Sequence, residues 1–204
     1  MINSLQQKLQ QPLPGREAQL QMAPGLRRHY KMAPNDAIVA CVMVLLIPKN
    51  GDWHFTLIQR MPHPKDRHSG QISFPGGRLE KDDLSLEFGA LRETEEEVGV
   101  AKEAINLLGK LTELYIPVSN YLVHPFVGYL EETPIYTPQP SEVKSILEIP
   151  ILELEKKENR KLVDMKVRNN VVLKNTPYFD FYGNVVWGAT AMMLSEFERV
   201  VFGE

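Results

Sequence analysis

The chain has 204 residues, 43% of them hydrophobic and 24% charged, with a formal net charge of −3. This is the length and composition of an ordinary globular protein with one large domain and a sizeable core, and a charge so near neutral excludes bulk electrostatic binding to nucleic acid or a membrane surface. The longest apolar stretch, Ala37 to Pro48, is too short to span a bilayer, and the single cysteine, Cys41, excludes an internal disulfide framework.

In chain order, residues 2 to 11 read as a short polar helix ended by "PLPG", and residues 12 to 36 as an irregular, extended arm lying on the domain. The opening has no basic start followed by an apolar segment, so a cytoplasmic protein is expected. Whether the arm exchanges onto a second copy in a homodimer is open. From Ala37 the pattern changes. "AIVACVMVLLI" is a continuous apolar run rich in Val and Ile, as in a central strand, and Cys41 within it reads as a small core residue. "KNGD" is a turn signal and "WHFTLIQR" a partner strand. The polar loop "MPHPKDRHSG" follows, then "QISFPGG", a short strand broken by Pro75, Gly76 and Gly77.

Residues 84 to 98 read as a helix with Leu84, Phe88, Leu91 and Val98 on its apolar stripe, Asp82 or Asp83 as the cap and Gly99 at its C-terminal end. Strands are expected at about 105 to 117 and 121 to 131, and "SEVKSILEIP" reads as a short helix or turn. Residues 150 to 187 hold strand-like pieces, and "GATAMMLSEFERVVF" is an amphipathic helix. One mixed sheet flanked by helices, an α+β fold in three layers, accommodates all of this.

The chemistry concentrates in "RETEEEVG", residues 92 to 99. Successive helical residues turn ~100°, which puts Glu93 and Glu97 ~40° apart with Glu96 on the same side, whereas Glu95 points elsewhere. The apolar stripe lies opposite, so this carboxylate face is expected to look away from the core contacts of the helix. Clustered carboxylates repel unless water screens them or a cation sits among them, and hard divalent ions such as Mg²⁺ take oxygen ligands of this kind. Mg²⁺ in turn favours a phosphate-bearing substrate. Arg92 can brace a glutamate in a bidentate pair. The turn at "FPGG" can direct a backbone carbonyl, at Gly76 or Gly77, toward the same ion. Charge spacing alone is equally compatible with a solvated helix face.

"GGRLEKDDLSLEFGALRETEEEVGV" resembles the Nudix box, G-x5-E-x7-R-E-U-x-E-E-x-G-U with U apolar. Arg92, Glu93, Glu96, Glu97, Gly99 and Val100 match, and Thr94 stands at the first U. In the first half, five residues separate Gly77 from Asp83, which stands where the motif has Glu, and eight residues instead of seven separate Asp83 from Arg92. The longer box is similar to that of the coenzyme A-hydrolysing subgroup, which carries an upstream element L-x-x-R…R-x-H-x-G-Q-x-x-F-P-G-G. Here "LIQRMPHPKDRHSGQISFPGG" supplies Leu57, Arg60, His68, Gly70, Gln71, Phe74, Pro75, Gly76 and Gly77. "SNYLVHPFVG" and "VWGATAMML" also resemble the subgroup, so the similarity runs from about 37 to 195.

The resemblance implies a Nudix-type α/β/α sandwich over 37–204, with 1–36 as the arm. It implies hydrolysis of a nucleoside diphosphate linked to another group, using Mg²⁺ or Mn²⁺. Metal ligands would be Glu93, Glu96, Glu97 and the Gly77 carbonyl. Arg92, Glu93 and Glu96 would be catalytic, with Glu142 the candidate base from a distal loop. Arg60, Arg67, His68, Gln71 and Arg78 would bind the substrate, a small nucleotide and not a nucleic acid. Coenzyme A or acyl-CoA would give 3′,5′-ADP and (acyl-)4′-phosphopantetheine. ADP-ribose or a dinucleotide is the alternative substrate, and a non-catalytic nucleotide sensor the alternative role.

Overall fold

The spine of the fold is β1 (Ile38–Lys49), in a computed structural model that describes residues 1–25, 32–62, 68–167 and 171–203. Cys41, Met43, Leu45 and Ile47 of β1 enter one hydrophobic cluster, and Val44 and Leu46 enter another. Because a strand alternates its faces, this continuous apolar run reports burial on both sides. Asn50 and Gly51, at φ 54 and 84, turn the chain into β2 (Asp52–Arg60), which pairs antiparallel with β1.

On its other side β1 pairs in parallel with β7 (Tyr121–Tyr129), from Ile38 opposite Tyr121 to Leu46 opposite Tyr129. Five further strands extend this sheet among the described residues. β3 (Ile72–Ser73) and β8 (Val143–Pro150) pair with β2, β4 (Gly76–Arg78) with the start of β1, and β5 (Asn106–Lys110) and β6 (Leu114–Ile116) with β7. The result is a mixed eight-stranded sheet.

Helix α3 (Leu86–Val98) covers the face that carries Cys41, Met43, Leu45 and Ile47. The opposite face receives α1 (Ile2–Leu9), α2 (Gly15–Gln21), α4 (Gly188–Phe202) and a second sheet of β9 (Arg160–Lys166), β10 (Val172–Phe181) and β11 (Asn184–Trp187). Phe55 and Phe181 meet edge to face at 5.7 Å and join the two sheets. Helices on both faces of a mixed sheet make the expected α+β sandwich. No described helix is long and apolar enough to cross a membrane.

Several local expectations change. Residues 12 to 36 are not wholly irregular, because α2 lies within them and its Ala18 and Gln19 are buried. The strand expected at 105 to 117 is two strands, β5 and β6. In "SEVKSILEIP" only Ser141 and Glu142 form a turn, and the rest is β8, since pairing along β2, from Phe55 opposite Ile149 to Arg60 opposite Val143, outweighs local helical preference. The strand-like pieces at 150 to 187 form their own three-stranded sheet, in the order β11-β10-β9, instead of extending the first.

The correction that matters most concerns α3. Its cap is Ser85, whose Oγ accepts from Phe88 N at 3.1 Å, and not Asp82 or Asp83. Leu84 precedes the helix and is 88% exposed. The buried positions are Gly89, Ala90, Thr94, Glu97 and Val98. These are mostly small, which lets the helix lie close on the sheet: a methyl group on Gly89 would stand 3.0 Å from Leu79. Of the carboxylate face, Glu93 and Glu97 therefore do not look away from the core but turn toward β1 and β4, and only Glu96 stays exposed.

Candidate active site

The centre of the site is Glu97, whose side chain is 2% exposed. Its Oε2 accepts from Gly76 N at 2.7 Å, and its Oε1 lies 3.6 Å from Arg60 Nη1. Gly76 is required there. At φ 149 it runs against β1, where a side-chain carbon would overlap the Cys41 carbonyl and stand 2.6 Å from Val42 Cα. Burial pushes the Glu97 carboxyl up to about 8, against the pull of the Gly76 N–H and Arg60, and the charges of Glu93 and Glu142 push the same way. Glu93 lies one turn earlier, against Gly77, so closely that a side chain on this glycine would overlap its carboxylate. Burial raises the Glu93 carboxyl too; Arg92 opposes this, and the charges of Glu96 and Glu142 add to it.

Arg92 organises the outer side of the cluster. Its Nε and Nη2 donate to the two oxygens of Asp83, at 2.8 and 2.9 Å. Its Nη1 donates to Glu93 at 3.1 Å and Glu96 at 2.9 Å, and Nη2 also donates to the Arg78 carbonyl at 3.2 Å. The bidentate partner is thus Asp83 and not a glutamate. Glu96, ~100° round the helix from Glu97, does not share its inward face: its side chain is 57% exposed. Glu95 points elsewhere, as its position requires, and pairs with Lys102 at 2.8 Å.

Glu142 arrives from the chain between β7 and β8. That segment is tied to the C-terminal end of α3, where Thr137 N donates to the Val98 carbonyl at 2.9 Å and Gln139 N to the Glu97 carbonyl at 3.0 Å. Met61 N donates to the Glu142 carbonyl at 2.7 Å, which joins this segment to the end of β2. Glu142 is exposed, and its charge acts on both Glu93 and Glu97.

The other candidate residues lie around this centre. His68 Nδ1 and Gln71 Oε1 are 3.1 Å apart, and the Gln71 carbonyl accepts from Arg60 N at 3.0 Å. Arg78 is exposed on β4, next to Gly77. Arg67 lies outside the described residues. The residue that sequence reasoning undervalued is Asp83: its five-residue spacing from Gly77 was the signal, and the extra residue before Arg92 hid it.

The side chains suit a divalent cation by chemistry: their carboxylate oxygens carry more negative charge than Arg60 and Arg92 balance. Among the described residues, however, no three acidic, imidazole or thiol side chains already converge as a metal site. Arg92 holds Glu96 aside, and Gly76 N holds Glu97.

The sequence profile of the NUDIX domain matches residues 38–166. Proteins from Yersinia pestis and Yersinia pseudotuberculosis, each named "Uncharacterized Nudix hydrolase NudL", are 30% identical to this chain over 174 residues, 85% of this chain and 83% of theirs. A MutT/nudix family protein from Enterococcus faecalis has a similar fold, with a TM-score of 0.52 at 19% identity over 85% of this chain and 66% of that one. With the profile spanning more than half the chain and relatives aligned over most of their length, the chain belongs to the Nudix hydrolase family and is an enzyme acting on pyrophosphate bonds.

Proposed function

We propose that the substrate is coenzyme A or an acyl-CoA, hydrolysed to 3′,5′-ADP and (acyl-)4′-phosphopantetheine. Nudix hydrolases generally use divalent metal ions and bind small nucleotides; for this chain the ion proposed is Mg²⁺ or Mn²⁺. The observation that carries the reading is the meeting of the upstream element with the box. Arg60 lies 3.6 Å from Glu97, Gly76 N donates to the same carboxylate, and His68 and Gln71 pair beside Arg60. A sequence element similar to that of coenzyme A hydrolases thereby borders the carboxylates that would act on the diphosphate.

In this reading Glu93, Glu96, Glu97 and the Gly77 carbonyl hold the cation. When bound, it withdraws charge from the phosphate oxygens and lowers the pKa of water. Arg92 positions Glu93 and Glu96 through its hydrogen bonds. Glu142 takes a proton from the attacking water; Glu93 or Glu96 is the alternative base. Arg60, Arg67, His68, Gln71 and Arg78 orient the phosphates, for which guanidinium groups are well shaped. The proposal includes a cytoplasmic protein, with residues 1–36 as an arm on a 37–204 domain, and leaves the homodimer to measurement.

The test is a panel of coenzyme A, acetyl-CoA, ADP-ribose, NADH and diadenosine polyphosphates with Mg²⁺ or Mn²⁺. Phosphopantetheine release from coenzyme A at the highest kcat/KM supports the proposal. Turnover of another member without coenzyme A removes it.

A further inference from the structure

Among the described residues, the segment that carries Glu142 is held by few attachments. From Glu131 to Glu142 the chain forms no helix or strand, and every residue except Pro134 and Tyr136 is exposed. Tyr136 packs with the cluster under α3, and its hydroxyl shares a 2.8 Å hydrogen bond with Thr56 Oγ1 on β2, a fully buried side chain. Immediately afterwards Thr137 N and Gln139 N reach the last carbonyls of α3, at 2.9 and 3.0 Å. The approach is so close that a side chain on Gly99 would stand 2.6 Å from the Thr137 carbonyl oxygen. The same short run ends at Glu142, whose amide donates to Gln139 O at 3.0 Å.

We propose that Tyr136 is a positioning residue: its hydrogen bond to Thr56 fixes the run from Thr137 to Glu142 on the end of α3 and so sets where the Glu142 carboxylate stands. The inference rests on the reading of Glu142 as the base. The geometry favours it over a purely packing role. A phenyl ring would fill the same space, but only the hydroxyl reaches Thr56, and backbone anchoring through exposed amides opens readily when its neighbour is released. Burial pushes the Tyr136 hydroxyl up to about 12, with the Glu148 charge adding to it, so the group remains a neutral hydrogen-bonding partner over the working pH range. Misplacement of a reacting group by about 1 Å can cost on the order of 100-fold in rate.

The experiment compares the full chain with Tyr136→Phe, Thr56→Val, Glu142→Gln and the Tyr136→Phe/Glu142→Gln double variant. Amide hydrogen exchange is followed at Thr137 and Gln139, with Leu45 and Ile58 in the core as controls. Steady-state kinetics use coenzyme A and ADP-ribose with Mg²⁺. The expected result for Tyr136→Phe is exchange about tenfold faster at Thr137 and Gln139 with the core controls unchanged. Its kcat falls about tenfold and KM stays within about twofold. Thr56→Val behaves alike, and the double variant is no slower than Glu142→Gln alone. Wild-type exchange and kcat in Tyr136→Phe overturn the proposal, as does a full tenfold further loss in the double variant. If Glu142→Gln itself keeps wild-type kcat, the reading of Glu142 has failed instead, and the exchange result then reports a structural anchor only.

Discussion

Two parallel hydrogen bonds, 2.8 and 2.9 Å long, clamp the Arg92 guanidinium to the Asp83 carboxylate. Asp83 also accepts from Glu80 N at 2.8 Å, and its side chain is only 1% exposed. The clamp fixes Arg92, and through it the orientation of Glu93 and Glu96. Asp83→Asn keeps the shape but loses the charge and half of the fork, and is expected to cost about 2 kcal/mol. The hydrogen bonds from Arg92 hold the Asp83 carboxyl below its ordinary value of 3.8. A depressed acid stabilises the fold fully above that value, and the contribution is lost as pH falls through the folded pKa. Urea unfolding should therefore show the variant weaker at pH 7 and the gap narrowing below about pH 4. A gap that is independent of pH would show that the charge is not what matters.

Adjacent glycines in β4 should respond oppositely to the same substitution. In Gly76→Ala the new carbon meets the backbone of Cys41 and Val42, which cannot yield, so stability falls by several kcal/mol. In Gly77→Ala it meets only the Glu93 carboxylate, the far end of a flexible side chain. That carboxylate moves, so activity falls by about 100-fold while the unfolding midpoint changes little. Circular dichroism melts and turnover rates of the two variants check this directly. A Gly77→Ala protein with wild-type turnover would show that the position of Glu93 is not critical.

Much of this architecture is legible from local pattern. The burial of β1 on both faces follows from its unbroken apolar run, the β1–β2 turn from Asn50-Gly51, and the end of α3 from Gly99, which adopts φ 72. The orientation of α3 is not legible in the same way. Of the expected stripe, Val98 is buried and Leu91 packs beside the cluster, but Leu84 is exposed, and the close approach to β1 and β4 buries Gly89, Ala90 and Thr94 and brings Glu97 inward with them. Size, which decides how near a helix can lie, outranked hydrophobicity there. β8 is not legible locally, because its pairing partner β2 lies about 90 residues away in sequence. The shared face expected for Glu93, Glu96 and Glu97 divides, because ~100° of helical rotation separates Glu96 from Glu97 and leaves it exposed, and the placement of Arg92 between Glu96 and Asp83 needs the three-dimensional structure.

The exposure of Glu96 makes it the sharpest probe of function against folding. Its side chain is 57% exposed and its ion-pair partner is Arg92, at 2.9 Å. Glu96→Gln should change stability by less than about 0.5 kcal/mol, because exposed ion pairs contribute little. If Glu96 ligates the cation or moves a proton, the same substitution costs about 100- to 10,000-fold in kcat. Glu95→Gln, one residue away but paired with Lys102, is the control and should keep wild-type kcat. A large loss of stability in Glu96→Gln would instead make the cluster a structural feature.

Carboxylates that repel one another in the absence of a cation predict that adding one stabilises the folded chain. Glu97 is buried, and the charges of Glu93 and Glu142 push against it, whereas the unfolded chain spreads these charges through solvent. An ion that binds only the folded state at a hundredfold excess over its Kd adds about 2.7 kcal/mol. For a chain of this length that is a rise in Tm of roughly 5 to 10 °C. Melts of the chelator-treated protein with increasing Mg²⁺ or Mn²⁺ should show it. Glu95→Gln should retain the full rise, whereas Glu93→Gln and Glu97→Gln should lose most of it. Because Gln keeps the shape of the Glu97 side chain and an oxygen to accept from Gly76 N, this variant is expected to be about as stable as the wild type without the ion. A metal-dependent rise that survives in both Glu93→Gln and Glu97→Gln would place the cation elsewhere on the molecule.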